Sequence, residues 1–106
     1  MKEQVKIVVT VPQKDADTLR EAIGKAGIGQ VGDYSFCSYT VTGVGRFLPG
    51  KGAHPTIGAI GTLEQVPEDR IEVNCARDQA ATAVAAIRAA HPYEEPAIDI
   101  YPLLVI

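Results

Sequence analysis

The 106-residue sequence predicts an α+β fold of order β-α-β-β-α-β, and three observations carry it. Apolar residues alternate with a period of two in four stretches. Two further stretches repeat apolar residues at helical spacing, and proline or glycine stands where one stretch hands over to the next. This order is the ferredoxin-like split βαβ arrangement, a four-stranded antiparallel sheet with both helices on one face. Residues 1–106 are expected to form a single domain of this kind, since domains commonly run to about 100–150 residues.

The first strand is expected where Val5, Ile7, Val9 and Val11 alternate with Lys6, Val8 and Thr10, and Pro12 ends it. Asp15 stands at the N-cap position of a helix in which Ala16, Leu19, Ile23 and Ala26 make one apolar stripe. Gly27 and Gly29 supply the left-handed residues on which helices stop. The second strand is read over 35–42, with Cys37, Tyr39 and Val41 on one face and Ser38, Thr40 and Thr42 on the other. The third is read over 70–76, with Ile71, Val73 and Cys75 opposite Glu72 and Asn74. Segments 46–48 and 57–66 extend these two as a long hairpin. The connection between them holds six of the chain's ten glycines. Asp78 is expected to cap a second, alanine-rich helix carrying Ala80, Val84 and Ile87 on one side. Pro92 cannot continue that helix, so it ends near His91. The last strand, near 97–101, points Ile98 and Ile100 to the core, and Pro102 ends it or lies on its edge. The second face of the sheet then shows Lys6, Val8, Thr10, Thr40, Glu72, Asn74 and Tyr101, a mixed surface that an oligomer could bury.

Composition narrows the function classes. With 46% hydrophobic and 22% charged residues, the chain can build a core without disulfides or structural metal. A net charge of -3 gives no electrostatic case for nucleic acid or anionic membrane. No apolar run approaches the roughly 18 residues that span a bilayer. The apolar run before Pro12 is too short for a secretory signal. Cys37 and Cys75, far apart and in no CxxC pattern, read as reduced, buried strand cysteines of a cytoplasmic protein.

Two stretches invite a chemical interpretation. GRFLPGKG, residues 45–52, matches the start of a phosphate-binding P-loop, but Gly52 stands where Ser or Thr would hold magnesium and no helix pattern follows. A hairpin tip is favoured, and one that orders around a small ligand gives Gly43, Gly45, Arg46, Gly50, Lys51, Gly52 and His54 as its candidate binding residues. HPYEEPAIDIYPL, residues 91–103, places His91 within reach of Glu94 and Glu95, a set that could hold a divalent metal ion. The same stretch reads structurally as a helix stop aimed into a strand, with Tyr93 partly buried and its hydroxyl bonded. On that interpretation His91→Ala and Glu94→Gln cost little. No GxSxG occurs and neither cysteine has a neighbouring histidine, so no catalytic residue is assigned.

Three stretches carry a family resemblance: QVGDYSFCSYTVTGVGRFLPGKGAHPTIG (30–58), GTLEQVPEDRIEV (61–73) and HPYEEPAIDIYPL (91–103). In order and spacing they resemble the inserted middle domain of YqfO-type proteins, members of the NGG-interacting-factor family of dinuclear-metal proteins. That insert is similar to the PII and CutA proteins, and HPYE followed by proline also occurs in CutA. In the family the paired metal ions lie on flanking domains that these 106 residues do not contain, so hydrolase or cyclohydrolase activity is not carried over. The resemblance implies a PII/CutA-like, non-catalytic module that forms a homo-oligomer, with a trimer favoured, and senses a small-molecule or ion effector. The alternative is a CutA-like divalent-metal-binding protein that uses His91, Glu94 or Glu95.

Overall fold

The computed structural model describes residues 3–104 and 106. Six main elements follow one another: β1 (Gln4–Pro12), α1 (Ala16–Lys25), β2 (Tyr39–Phe47), β3 (Glu64–Ala76), α2 (Ala80–Ala90) and β4 (Ile98–Leu103). The strands form one antiparallel sheet in the order β2-β3-β1-β4, the ferredoxin-like topology expected.

Alternation decides which side of the sheet is covered. Val5, Ile7, Val9 and Val11 pair across to Cys75, Val73, Ile71 and Asp69. The apolar members of that face pack with Ala16, Leu19 and Ile23 of α1, Ala83 and Ile87 of α2, and Ile28 from the loop after α1. Ile7, Val11, Leu19, Ile71, Ala83 and Ile87 lose all contact with solvent, so the core is a single layer between the sheet and the two helices. Small alanines on α2 let its backbone lie close to α1, while its own hydrophobic contribution rests mainly on Ile87.

Several local details differ from expectation. β2 begins at Tyr39 and runs to Phe47, so Cys37 lies outside it and is only half-buried, whereas Cys75 is buried in β3. Both cysteines are free thiols. Gly29, at φ +89°, explains why the earlier stretch does not join the strand. Its carbonyl accepts the Cys37 N–H at 2.8 Å, and a Cβ there would stand 2.5 Å from the Cys37 carbonyl oxygen. The chain therefore folds through a compact loop before pairing begins. Asp15 stands at the N-cap of α1, as expected, whereas the N-cap of α2 is Gln79 and not Asp78. A 3₁₀ turn, Gln13–Asp15, precedes α1, and Asp15 makes no capping bond. A second turn, Arg77–Gln79, precedes α2, where the Gln79 side-chain oxygen takes the Ala76 N–H at 3.2 Å. Ile100 shares the core face with Ile7 but is 43% exposed, because β4 is the edge strand and the helices do not reach over it; Ile98 does pack on the core. Pro102 is tolerated within β4 for the same reason, since only one side of an edge strand needs its N–H groups.

The β2–β3 hairpin is longer than the rest of the sheet requires. β1 ends at Pro12, opposite Glu68, while β3 continues back to Glu64 and β2 forward to Phe47. This projecting arm contributes to a long axis of 48 Å against 22 Å in the other two directions. Its register, with Tyr39 opposite Glu72, also settles the faces of β2. Thr40 and Thr42 lie on the helix side, where Thr40 accepts from Arg20 at 3.2 Å and Thr42 donates to Asp69 at 3.1 Å. Tyr39 and Val41 point away from the helices, the reverse of the assignment expected from alternation alone. Thr40 thus leaves the outer face and Tyr39 joins it. Among the described residues no helix is long and apolar enough to cross a membrane.

Candidate functional site

The link after α2 is built from its own histidine. Pro92 stops the helix, and His91 takes an extended conformation as its C-cap. His91 is 8% exposed. Its Nδ1 accepts the Tyr93 N–H at 3.1 Å, which places the ring proton on Nε2, and Nε2 donates to the Thr10 carbonyl at 2.7 Å. Thr10 lies just past the last β1 residue paired with β4, so the histidine satisfies a carbonyl that the edge strand leaves open. Both ring nitrogens are thereby committed to the backbone. His91 thus clasps the link to β1, and its replacement is expected to cost more than the sequence suggests.

Tyr93 is aimed by this clasp toward the hairpin arm. Its hydroxyl donates to Glu68 Oε2 at 2.9 Å, and its ring meets Phe47 edge-on at 5.9 Å between centroids. Burial, the hydrogen bond to Glu68 and the charges of Glu68 and Asp15 all push the phenol well above its ordinary range, so it remains a donor. Glu68 is only 7% exposed. It stands on the outer face of β3, opposite Gly43 and beside Gly45, and a Cβ at Gly45 would collide with its carboxylate. Glycine at 45 is what lets a carboxylate lie flat on the strand pair.

The glycine-rich connection folds back over the link. Thr56 donates its hydroxyl proton to the Pro92 carbonyl at 2.7 Å, and the His54 N–H donates to Glu94 Oε1 at the same distance. The His54 ring nitrogen Nδ1 lies 3.9 Å from Glu94 Oε2. Gly61 N–H to the Pro49 carbonyl, at 2.9 Å, closes the base of the loop. No helix follows Lys51, so the P-loop match carries no helix terminus to hold phosphate.

Arm, loop and link together enclose a cleft of about 580 Å³. Of the sequence-derived loop candidates, Gly43, Gly45, Arg46 and Gly50 line it, the first three from β2 and not from a loop. Lys51, Gly52 and His54 do not. Glu94 and Glu95 line it while His91 sits behind, turned to the backbone, so these three are not brought together as one ligand set. Among the described residues no cluster of three or more His, Cys, Asp or Glu could hold a metal ion. Glu68 was not singled out from the sequence. Its signal is that it falls in the buried alternation begun by Val66, a carboxylate in an apolar slot, facing glycines that only the strand register brings opposite.

No protein-family model matches the chain. Over 99 residues it is 50% identical to the GTP cyclohydrolase 1 type 2 homolog of Mycobacterium tuberculosis, an alignment covering 93% of this chain and 26% of that protein. The homolog of Halalkalibacterium halodurans is 48% identical over 98 residues, again across 26% of its length. Among solved structures, a Bacillus cereus protein related to NIF3 superposes with a TM-score of 0.84 at 41% identity, over 96% of this chain and 26% of that one. The chain corresponds to one segment of NIF3-family proteins. The domain spans about a quarter of the relatives it matches, and the cyclohydrolase name belongs to those whole proteins. Its fold is the PII/CutA-like one: the divalent cation tolerance protein CutA of Archaeoglobus fulgidus superposes with a TM-score of 0.70 at 17% identity, over 94% of this chain and 83% of that protein.

Proposed function

We propose that this domain is a non-catalytic, cytoplasmic PII/CutA-like module that self-associates, as a trimer, and responds to a small ligand held in the cleft. The observation that carries self-association is the orientation of β2. Its apolar alternates, Tyr39 and Val41, turn away from the domain's own core and are 67% and 47% exposed. Tyr101 of β4 lies on the same outer face and is 44% exposed. Apolar surface on one side of a sheet whose other side is already covered is suited to burial against further copies. The cleft supports the ligand response, because arm, loop and link meet there and a ligand touching all three would fix their relative positions.

Light scattering at micromolar concentration tests the assembly. The expected mass is about three times the 11.3 kDa of one chain, and a monomer mass removes the proposal. A CutA-like divalent-metal function is the second reading, favoured by the proximity of the His54 ring to Glu94 beside a cleft that also holds Glu95. Calorimetric titration with divalent ions separates the two: a tight site lost in Glu94→Gln supports the metal function, and no heat supports the first.

A further inference from the structure

We propose that the cleft takes a small organic cation, an amine, amidine or guanidine on an apolar body, with the Glu68 carboxylate as its counter-charge. This rests on the ligand-binding half of the function proposed above and names the chemistry of that ligand.

Three carboxylates line the cleft, Glu68, Glu94 and Glu95, against two guanidiniums, Arg46 and Arg70. Burial separates them more sharply than the count does. Both arginines are exposed, and Arg70 is engaged by Glu72 at 3.1 Å. Glu68 is the buried charge, so its field is the least screened by water and salt. The Tyr93 hydroxyl fills one acceptor position on Oε2, whereas an ionised carboxylate offers about four. A buried carboxylate with so little compensation is stabilised by a cation brought to it, and an anion placed there would meet like charge.

The surroundings fit the rest of such a ligand. Phe47, Ile57 and Ala97 give apolar wall, and the volume of about 580 Å³ suits a compact molecule. The Phe47 and Tyr93 rings, packed edge-on to each other and both lining the cleft, add aromatic surface next to the carboxylate that the Tyr93 hydroxyl holds. Gly45 keeps the approach to Glu68 open, since any side chain there would occupy the carboxylate's place.

Calorimetry on the full chain, in the assembly it forms, tests this with benzamidine and phenethylamine. Benzoate and benzyl alcohol serve as anionic and neutral controls on the same ring, and magnesium and manganese chloride are titrated alone. The cations are expected to bind, with both controls weaker by about tenfold or more. Glu68→Gln is expected to lose the preference, with protein NMR shifts at Phe47 and Tyr93 that vanish with it. Gly45→Ala, which displaces the same carboxylate from the neighbouring strand, is expected to weaken binding alike while the thermal transition of both variants stays cooperative. Benzoate binding as tightly as benzamidine, or cation binding unchanged in both variants, overturns the cation assignment and leaves a ligand cleft standing. Binding of a metal ion alone, lost in Glu68→Gln, overturns it in favour of a metal site at that carboxylate. Silence from every probe removes the cation assignment and the ligand-binding function together.

Discussion

At Tyr93 a single phenol ties the end of α2 to the hairpin arm, and its chemistry predicts how stability responds to substitution and pH. Tyr93→Phe removes the donor to a buried carboxylate and is expected to cost about 1.5–3 kcal/mol in urea unfolding at neutral pH. The folded phenol titrates above its ordinary value of about 10, so its contribution is complete below that pH and is lost as pH climbs beyond it. The gap between native protein and Tyr93→Phe should therefore narrow above about pH 10; a constant gap would show that the hydroxyl is not held by Glu68. His91→Ala strands the Thr10 carbonyl and the Tyr93 N–H, and should cost about 1–3 kcal/mol, more than Glu94→Gln on the exposed rim. The cysteines should react unequally. Burial, and to a lesser degree Asp78, pushes the Cys75 thiol up, and that side chain is inaccessible, whereas Cys37 is half-exposed. Alkylation of the native protein should label Cys37 first and reach Cys75 only after unfolding, as mass spectrometry of the tryptic peptides would show.

The hairpin arm is the element whose behaviour changes most once its register is known. Read as a sequence, residues 45–52 are favoured as a glycine-rich hairpin tip. In the structure Gly43–Phe47 belongs to β2, paired with Glu68 back to Glu64, so only the residues beyond it are loop. Amide exchange should accordingly be slow at the strand amides of 43–47 that face β3, and fast at Lys51 and Gly52. Ala53 and Gly61, bonded to Gly50 and Pro49, should lie between these limits. Fast exchange throughout 43–47 would mean that the arm is not paired in solution. The outer face of the strands beside it is held by charge: Glu72 bridges Arg70 at 3.1 Å and Lys6 at 3.5 Å, and the Arg70 bond holds its carboxyl below the usual carboxylate range. Glu72 stands directly across from Val8, which is buried although it lies on the face away from the helices.

For the whole molecule, the sidedness of the sheet makes the assembly testable by substitution. Tyr39→Lys combined with Val41→Lys alters two exposed positions on the face remote from the helices. The double variant should keep the folded circular dichroism of the domain but fall to monomer mass by light scattering. Retention of a trimer would place the interface elsewhere. Thermal stability should drop with the loss of mass and become concentration-dependent near the transition, because association stabilises by mass action.

The sequence by itself determined the element order, the sheet with helices on one face, the stop at Pro92 and the core residues of β1 and α1. Each of these follows from local periodicity or from the fixed geometry of proline. The family resemblance was also legible, because it lay in ordered stretches of residues and needed no contacts. Tertiary structure alone decided the rest. Alternation shows that β2 has two faces but not which one meets the helices; the pairing of Tyr39 with Glu72 makes that choice, and a shift of one residue would reverse it. Glu68, Gly45 and Tyr93 lie far apart along the chain, so their convergence depends on strand register and on the angle at which the chain leaves α2. Local periodicity fixes which residues share a face, whereas the cleft depends on how separate faces are brought together.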